Sequence, residues 1–193
     1  FGEASHLSDL WLPVRLSGDM AVFQGMMKEM FDAEARNPGT VLDEKFIRDQ
    51  TIGFAEFKAR IDATSWEEIL HISGLTREQI AAAAEIAIKA KKIICCWAMG
   101  LTQQPEAVAA IQEIVNFLLL GGNIGRPGAG ACPVRGHSNV QGDRTMGIWE
   151  KMDETFHAAL DREFEFASPR EHGLDVVQTI NAMHAGEIKV FFA

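Results

Sequence analysis

Three arginines set in a glycine-rich stretch are the residues of this sequence best suited to holding an anion. Residues 121–147, GGNIGRPGAGACPVRGHSNVQGDRTMG, place eight glycines and two prolines among Arg126, Arg135, Arg144, His137, Asn139 and Gln141. Glycine at that density lets backbone pass close to a ligand, and a planar guanidinium holds a carboxylate or phosphate by two parallel hydrogen bonds. The arginines read as anion sites, with pairing to Asp143 or Glu150 the open alternative for Arg144. There is no Walker lysine and no GxGxxG after a strand, so neither standard nucleotide fingerprint applies. A second polar stretch, Met99-Gly100-Leu101-Thr102-Gln103-Gln104, follows an apolar run. Gly100 permits close backbone approach, and Thr102, Gln103 and Gln104 bring uncharged donors and acceptors. Either this stretch faces a cofactor or it is a polar turn in which Thr102 or Gln103 caps the next helix.

Both stretches need elements to hold them. Ile93-Ile94-Cys95-Cys96-Trp97-Ala98 is a continuous apolar run, which predicts a strand buried on both faces, as in a parallel sheet. Before it, Thr76 with Gln79 opens a helix over 77–89. After it, a helix is expected over 106–120 with Val108, Ile111, Ile114, Val115, Leu118 and Leu119 on one face. Helix, buried strand, polar loop and helix is the order of a doubly wound α/β layer. Ligands of such layers gather at the carboxyl ends of the strands, where residues 99–104 fall.

Upstream, Pro13 makes the segment Leu10 to Leu16 an edge or irregular stretch. Asp19 is expected to cap a helix that carries Met20, Val22, Phe23, Met26, Met27, Met30 and Phe31 at helical spacing and stops at Asn37-Pro38-Gly39. Its methionines read as soft core filling. Short helices are expected over 43–49, 54–61 and 65–72, the last from a capping box of Ser65 with Glu68. Downstream come helices over 153–163 and 176–185, a stop at Gly186, and a second buried strand over 189–193. With no Met at Phe1 and an end inside Val190-Phe191-Phe192-Ala193, residues 1–193 read as a single α/β segment of a longer polypeptide, with its binding loops over 99–147.

The order Trp97-Ala98-Met99-Gly100-x-Thr102-Gln103, then Gly122-Asn123-Ile124-Gly125-Arg126-Pro127-Gly128-Ala129-Gly130, then Pro133-Val134-Arg135-Gly136-x-x-Asn139-Val140-Gln141-Gly142 resembles the molybdopterin oxidoreductases. Among these it is most similar to formate dehydrogenase alpha subunits and their YdeP-like branch. The resemblance implies a Rossmann-like layered α/β/α cofactor-binding domain, of the third-domain type of the formate dehydrogenase and DMSO reductase family, incomplete within these residues. It implies bis-molybdopterin guanine dinucleotide with molybdenum or tungsten, shared between domains, with this segment as one wall. Met99, Gly100, Thr102 and Gln103 would line the pterin side, and Arg135, Gly136, His137, Asn139 and Gln141 would face the cofactor from the second motif. Arg135 matches the arginine beside the metal that orients the substrate carboxylate. His137, the other expected catalytic residue, stands where formate dehydrogenases carry Gln, a departure toward the YdeP branch.

The implied reaction takes formate, or another small anion, to its oxidised product and passes electrons to a [4Fe-4S] cluster. The metal ligand and cluster cysteines are expected outside this segment, so no metal ligand is assigned within it. The implied partners are a small-molecule substrate, an electron-transfer partner and the remaining domains of the same chain, and the segment alone is not expected to be active. A non-catalytic binding or regulatory module on the same scaffold is the alternative.

Composition narrows the classes further. Lys and Arg number 18 against 27 Asp and Glu, a net charge of −9 that repels a nucleic acid backbone. The apolar run Ile111 to Leu120 is interrupted by Gln112, Glu113 and Asn116 and falls short of the roughly 20 residues of a membrane span. Cys95, Cys96 and Cys132 are odd in number and lack CxxC spacing, which fits a reducing cytoplasm, and Cys132 reads as a small packed residue. His6, His71, His157, His172 and His184 form no HxxxH or HExxH pair and read as surface or cap residues. An NAD-binding domain is argued against by the missing GxGxxG and acidic ribose partner.

Overall fold

The computed structural model describes residues 8–147 and 151–192. What the sequence reads as one segment divides into two compact units, Phe1–Gly136 and His137–Ala193. His6, Glu150 and Ala193 lie outside the described residues.

The first unit is organised on α1 (Asp19–Arg36), whose Val22, Met26, Met27, Met30 and Phe31 recur at helical spacing and are buried. The helix starts one residue earlier than a cap at Asp19 would allow. Gly18 is the N-cap and offers no side-chain bond, while Asp19 falls in the first turn, where its charge suits the positive end of the helix dipole. Four short helices wrap this stem: α2 (Glu44–Gln50), α3 (Phe54–Ala63), α4 (Trp66–Ser73) and α5 (Arg77–Lys89). Asp43 caps α2 by accepting from Phe46 N, and Thr76 with Gln79 forms the full reciprocal box on α5. Ser65 caps α4 through Glu68 N, one half of the expected box. Ile61, Ile69, Ile80 and Leu118 close the core around Met27, each fully buried.

The sheet is smaller and more exposed than the apolar runs suggest. β1 (Ile94–Trp97) leads through one helical turn, α6 (Met99–Thr102), into α7 (Ala107–Leu120), and the chain returns as β2 (Gly130–Pro133). β1 and β2 pair in parallel, Ile94 opposite Gly130, Cys95 opposite Ala131, Cys96 opposite Cys132 and Trp97 opposite Pro133, with α7 as the crossover. Ile93, Cys95 and Trp97 pack on the core, whereas Ile94 is 55% exposed. The strand is thus half-buried rather than covered on both faces, because the helices lie against one side of it. β2 falls in the glycine-rich stretch, where no strand is expected. The strand expected over 189–193 is not formed by the described residues: Val190, Phe191 and Phe192 are exposed and unpaired in any ladder.

On α7 the buried face is turned from the expected one. Ala107, Ala110, Glu113, Ile114, Phe117 and Leu118 are buried, and Val108 is 72% exposed. Phe117 meets Phe23 edge to face at 5.3 Å, fixing α7 against α1. The carboxylate of Glu113 is held in the core by Gln24 Nε2 at 3.1 Å, Arg60 at 2.8 Å and Asn116 Nδ2 at 3.2 Å.

The second unit holds α8 (Asn139–Thr145), α9 (Glu154–Phe164) and α10 (Val176–His184). Asp153 caps α9 and Asp175 with Gln178 boxes α10, while Gly186 ends it at φ +73°, a left-handed stop that suits glycine. His157 is not a surface residue: it is buried, its Nδ1 2.9 Å from Ser168 Oγ. Ser168 N donates to Asp161 Oδ1 at 2.7 Å, and Arg170 spans Glu154 and Asp161.

The Arg170 guanidinium, aided by Ser168, holds the Asp161 carboxyl well below the usual carboxylate range. A carboxyl with a depressed folded value contributes stability that is complete above its unfolded value of about 4 and is lost as pH falls through the folded one. The protection factor of the Ser168 amide is therefore expected to drop on acidification from about pH 4 downward. In Arg170→Met that protection is expected to be weaker at neutral pH and less dependent on pH, and a wild-type profile flat throughout acidification would contradict the assignment.

Candidate functional site

The carboxyl ends of β1 and β2 bring the two polar stretches side by side. Beyond the last ladder pair, Val134 N donates to Trp97 O at 2.7 Å, which carries residues 134–136 along the start of α6. A Cβ at Gly136 would stand 2.8 Å from Met99 Sδ and 2.9 Å from its Cε, so the Met99 side chain lies directly against Gly136 and would have to swing aside for any larger residue. Met99 and Gly136, far apart in sequence, thus meet because the strands beneath them pair in register.

Met99–Thr102 is a helical turn and not a loop, anchored by buried Leu101 and capped by Gln103. Neither Thr102 nor Gln103 caps the following helix, since the N-cap of α7 is Glu106 and makes no side-chain bond. Gln104 instead ties the turn down, donating to Gly100 O at 2.7 Å and to Asp19 Oδ2 at 3.4 Å. Met99, Gly100, Thr102 and Gln103 are left exposed, with Gln103 Nε2 3.9 Å from Met99 Sδ. A cavity of about 410 Å³ opens beside the turn, between Asp19 and Phe23 of α1, Trp97, Gly100 and Ile114.

Another cavity, about 460 Å³, lies at the opposite end of β1 by Lys91, Ile93 and Arg126. Ligands of parallel sheets commonly gather at the carboxyl ends of the strands, the end beside which the 410 Å³ cavity opens.

Arg135 sits on this rim, exposed and without a hydrogen-bond or ion-pair partner among the described residues. Arg126 has a different job from the anion site expected of it. Its Nη2 donates to Lys91 O at 2.8 Å, Gly121 O at 3.2 Å and Asn123 Oδ1 at 2.7 Å. Asn123 Oδ1 also accepts from Ile93 N at 3.0 Å, so the pair clamps the turn after α7 onto the start of β1. Arg144 is likewise engaged and not free.

His137, Asn139 and Gln141 belong to the second unit. His137 O accepts from Val140 N at 3.2 Å as the chain enters α8, which carries Asn139 and Gln141, and all three residues are exposed. Cys132 is exposed beside Cys96 and not packed as expected. No side-chain spacing could have disclosed that neighbour, because it is created by strand register. Among the described residues no three His, Cys, Asp or Glu side chains gather as a metal site, and no helix is long and apolar enough to cross a membrane.

The fold is mixed α/β with a small parallel sheet, and the chain is similar to known proteins. No family model matches the chain. It is 48% identical over 190 residues to an uncharacterized oxidoreductase of Mycobacterium tuberculosis, a match over 98% of this chain and 24% of that protein. It is 40% identical over 189 residues to the protein YdeP of Escherichia coli, covering 96% of this chain and 25% of that one. A Staphylococcus haemolyticus protein provisionally named formate dehydrogenase is 32% identical over 158 residues, 78% of this chain and 16% of its own length. The solved structure of acetylene hydratase from Pelobacter acetylenicus matches with a TM-score of 0.56 at 24% identity, over 65% of this chain and 16% of that one, a likeness of fold. The chain spans about a quarter of the length of its first curated relatives, which are named as oxidoreductases.

Proposed function

We propose that this chain is one wall of a bis-molybdopterin guanine dinucleotide site in an oxidoreductase of the formate dehydrogenase type, acting on formate or another small anion. The observation that carries the reading is the meeting of the Met99 turn with Gly136 at the carboxyl ends of two paired parallel strands. The residues fit the group. Its pterins need uncharged donors and acceptors, which Gly100, Thr102 and Gln103 present from an exposed turn, and its anionic groups need a cation, which Arg135 supplies. The cavity beside the turn is within the usual range for a ligand pocket, roughly 300–1,000 Å³.

Held by Gly100, Thr102, Gln103 and Arg135, such a cofactor would supply two-electron redox chemistry, with a [4Fe-4S] cluster and an electron-transfer partner assigned outside this chain. This chain's own residues bind and orient. The Met99 turn is held rigid by Leu101 and Gln104, so its backbone meets the pterin with little loss of freedom. Arg135 grips both substrate oxygens with its planar fork. On the strength of the motif alone, His137, Asn139 and Gln141 are assigned to cofactor binding, and His137 joins Arg135 as a residue nearest the substrate.

Purified from cells grown without oxygen, the polypeptide that carries this chain is expected to hold stoichiometric molybdenum or tungsten and to release guanine nucleotide on acid treatment. Protein that oxidises formate while free of metal and pterin would overturn the reading.

A further inference from the structure

Cys96 and Cys132 are partners in the parallel ladder. Paired residues of neighbouring strands point to the same face, and here that face is the uncovered one, with both cysteines exposed and Ile94 beside them 55% exposed. Neighbouring strands run about 4.8 Å apart, inside the roughly 4.4–6.8 Å that Cα atoms of a disulfide span. Cys95 points the other way, packed on the core, where burial pushes its thiol up to about 11. Of the three conceivable pairings, Cys95 with Cys96 joins chain neighbours on opposite faces and Cys95 with Cys132 reaches through the sheet. Only Cys96 with Cys132 needs no rearrangement.

We propose that Cys96 and Cys132 are a redox-active dithiol, which closes to a disulfide by exchange with a small-molecule disulfide such as oxidised glutathione. One cysteine thiolate attacks a sulfur of the oxidant, forming a mixed disulfide and releasing one glutathione thiol. The second thiolate then attacks the protein sulfur of that mixed disulfide, forming the Cys96–Cys132 bond and releasing the second glutathione. Two protein thiols are oxidised, one disulfide is reduced to two thiols, and no further oxidant is needed.

The Cys132 sulfur beside it pushes the Cys96 thiol above its ordinary value, so attack by Cys96 quickens as pH rises and its thiolate forms. The bond would staple the two strands three residues before Met99 on one and three before Arg135 on the other.

The test is to incubate the polypeptide that carries this chain with excess oxidised glutathione at about pH 8, alkylate remaining thiols and weigh the peptides that bear Cys95, Cys96 and Cys132. In Cys95→Ala both thiols are expected to disappear with the loss of two hydrogens and no added glutathione, and dithiothreitol should restore both. In Cys96→Ala, Cys132 is expected to carry glutathione, with closure onto Cys95 at least about tenfold slower. The unsubstituted chain, free of any effect of substitution on folding, should keep one alkylatable thiol. Glutathione adducts without an internal bond in Cys95→Ala, or equally fast closure in Cys96→Ala, would overturn the proposal.

Discussion

Arg135→Lys is expected to lower kcat/KM for formate by about 100-fold in the polypeptide that carries this chain, a loss of about 2.7 kcal/mol in transition-state stabilisation. Lysine keeps the charge and loses the fork. A carboxylate held by two parallel N–H···O bonds is fixed in orientation, whereas an ammonium holds it as a point charge and lets it turn. Arg135 is exposed and has no partner among the described residues, and its backbone is set by the bond from Val134 N to Trp97 O. The substitution should therefore leave stability within about 0.5 kcal/mol of the parent. Arg135→Gln, which removes the charge as well, should lose roughly another tenfold. Metal and guanine nucleotide content must be measured with the kinetics. Full content with depressed kcat/KM places Arg135 at the substrate, lost content places it at the cofactor, and unchanged turnover in Arg135→Lys removes it from the substrate site.

How far such a site can be read from sequence depends on the range of the interactions that build it. The helices are local statements. Thr76 with Gln79 closes a box across three residues, and the apolar rhythm from Val22 to Phe31 fixes the buried face of α1, so both were legible. The strands are not local. Gly130–Pro133 has no alternation to announce it and becomes a strand because β1 offers it an unpaired edge, while the apolar run at 189–192 finds no such edge among the described residues. Arg126 and Arg135 show the same limit in the site itself. Both lie in glycine-rich sequence, yet one guanidinium ends on the oxygens of Lys91, Gly121 and Asn123 and the other on none among the described residues. The difference is made by where α7 delivers the chain relative to β1. His157 with Ser168 and Cys96 with Cys132 are likewise tertiary neighbours whose residue types carry no mark of one another.

Glu113, which interrupts the apolar run of α7 in sequence, is 2% exposed, and its burial yields an expected result of its own. Glu113→Ala is expected to destabilise the chain by about 3 kcal/mol, the scale of breaking a buried ionic group away from its partners. The loss is not chiefly that of the ion pair. The Arg60 side chain is 54% exposed, so water screens its attraction to the carboxylate and rehydrates it when the partner goes. The cost comes from Gln24, which is buried and would lose its acceptor at 3.1 Å, from Asn116 losing its acceptor at 3.2 Å, and from the void left between α1 and α7. Arg60→Ala should accordingly cost about 1 kcal/mol, because two donors still hold the carboxylate. Glu113→Gln should fall between, since its amide can accept from Gln24 or from Asn116 but turns a donor toward the other. Urea unfolding of the three variants should give that order. An Arg60→Ala cost equal to that of Glu113→Ala would transfer the stabilisation to the ion pair. Because α7 is the crossover between β1 and β2, the same loosening should raise amide exchange at Val134, whose bond to Trp97 O brings the Met99 turn and Arg135 together.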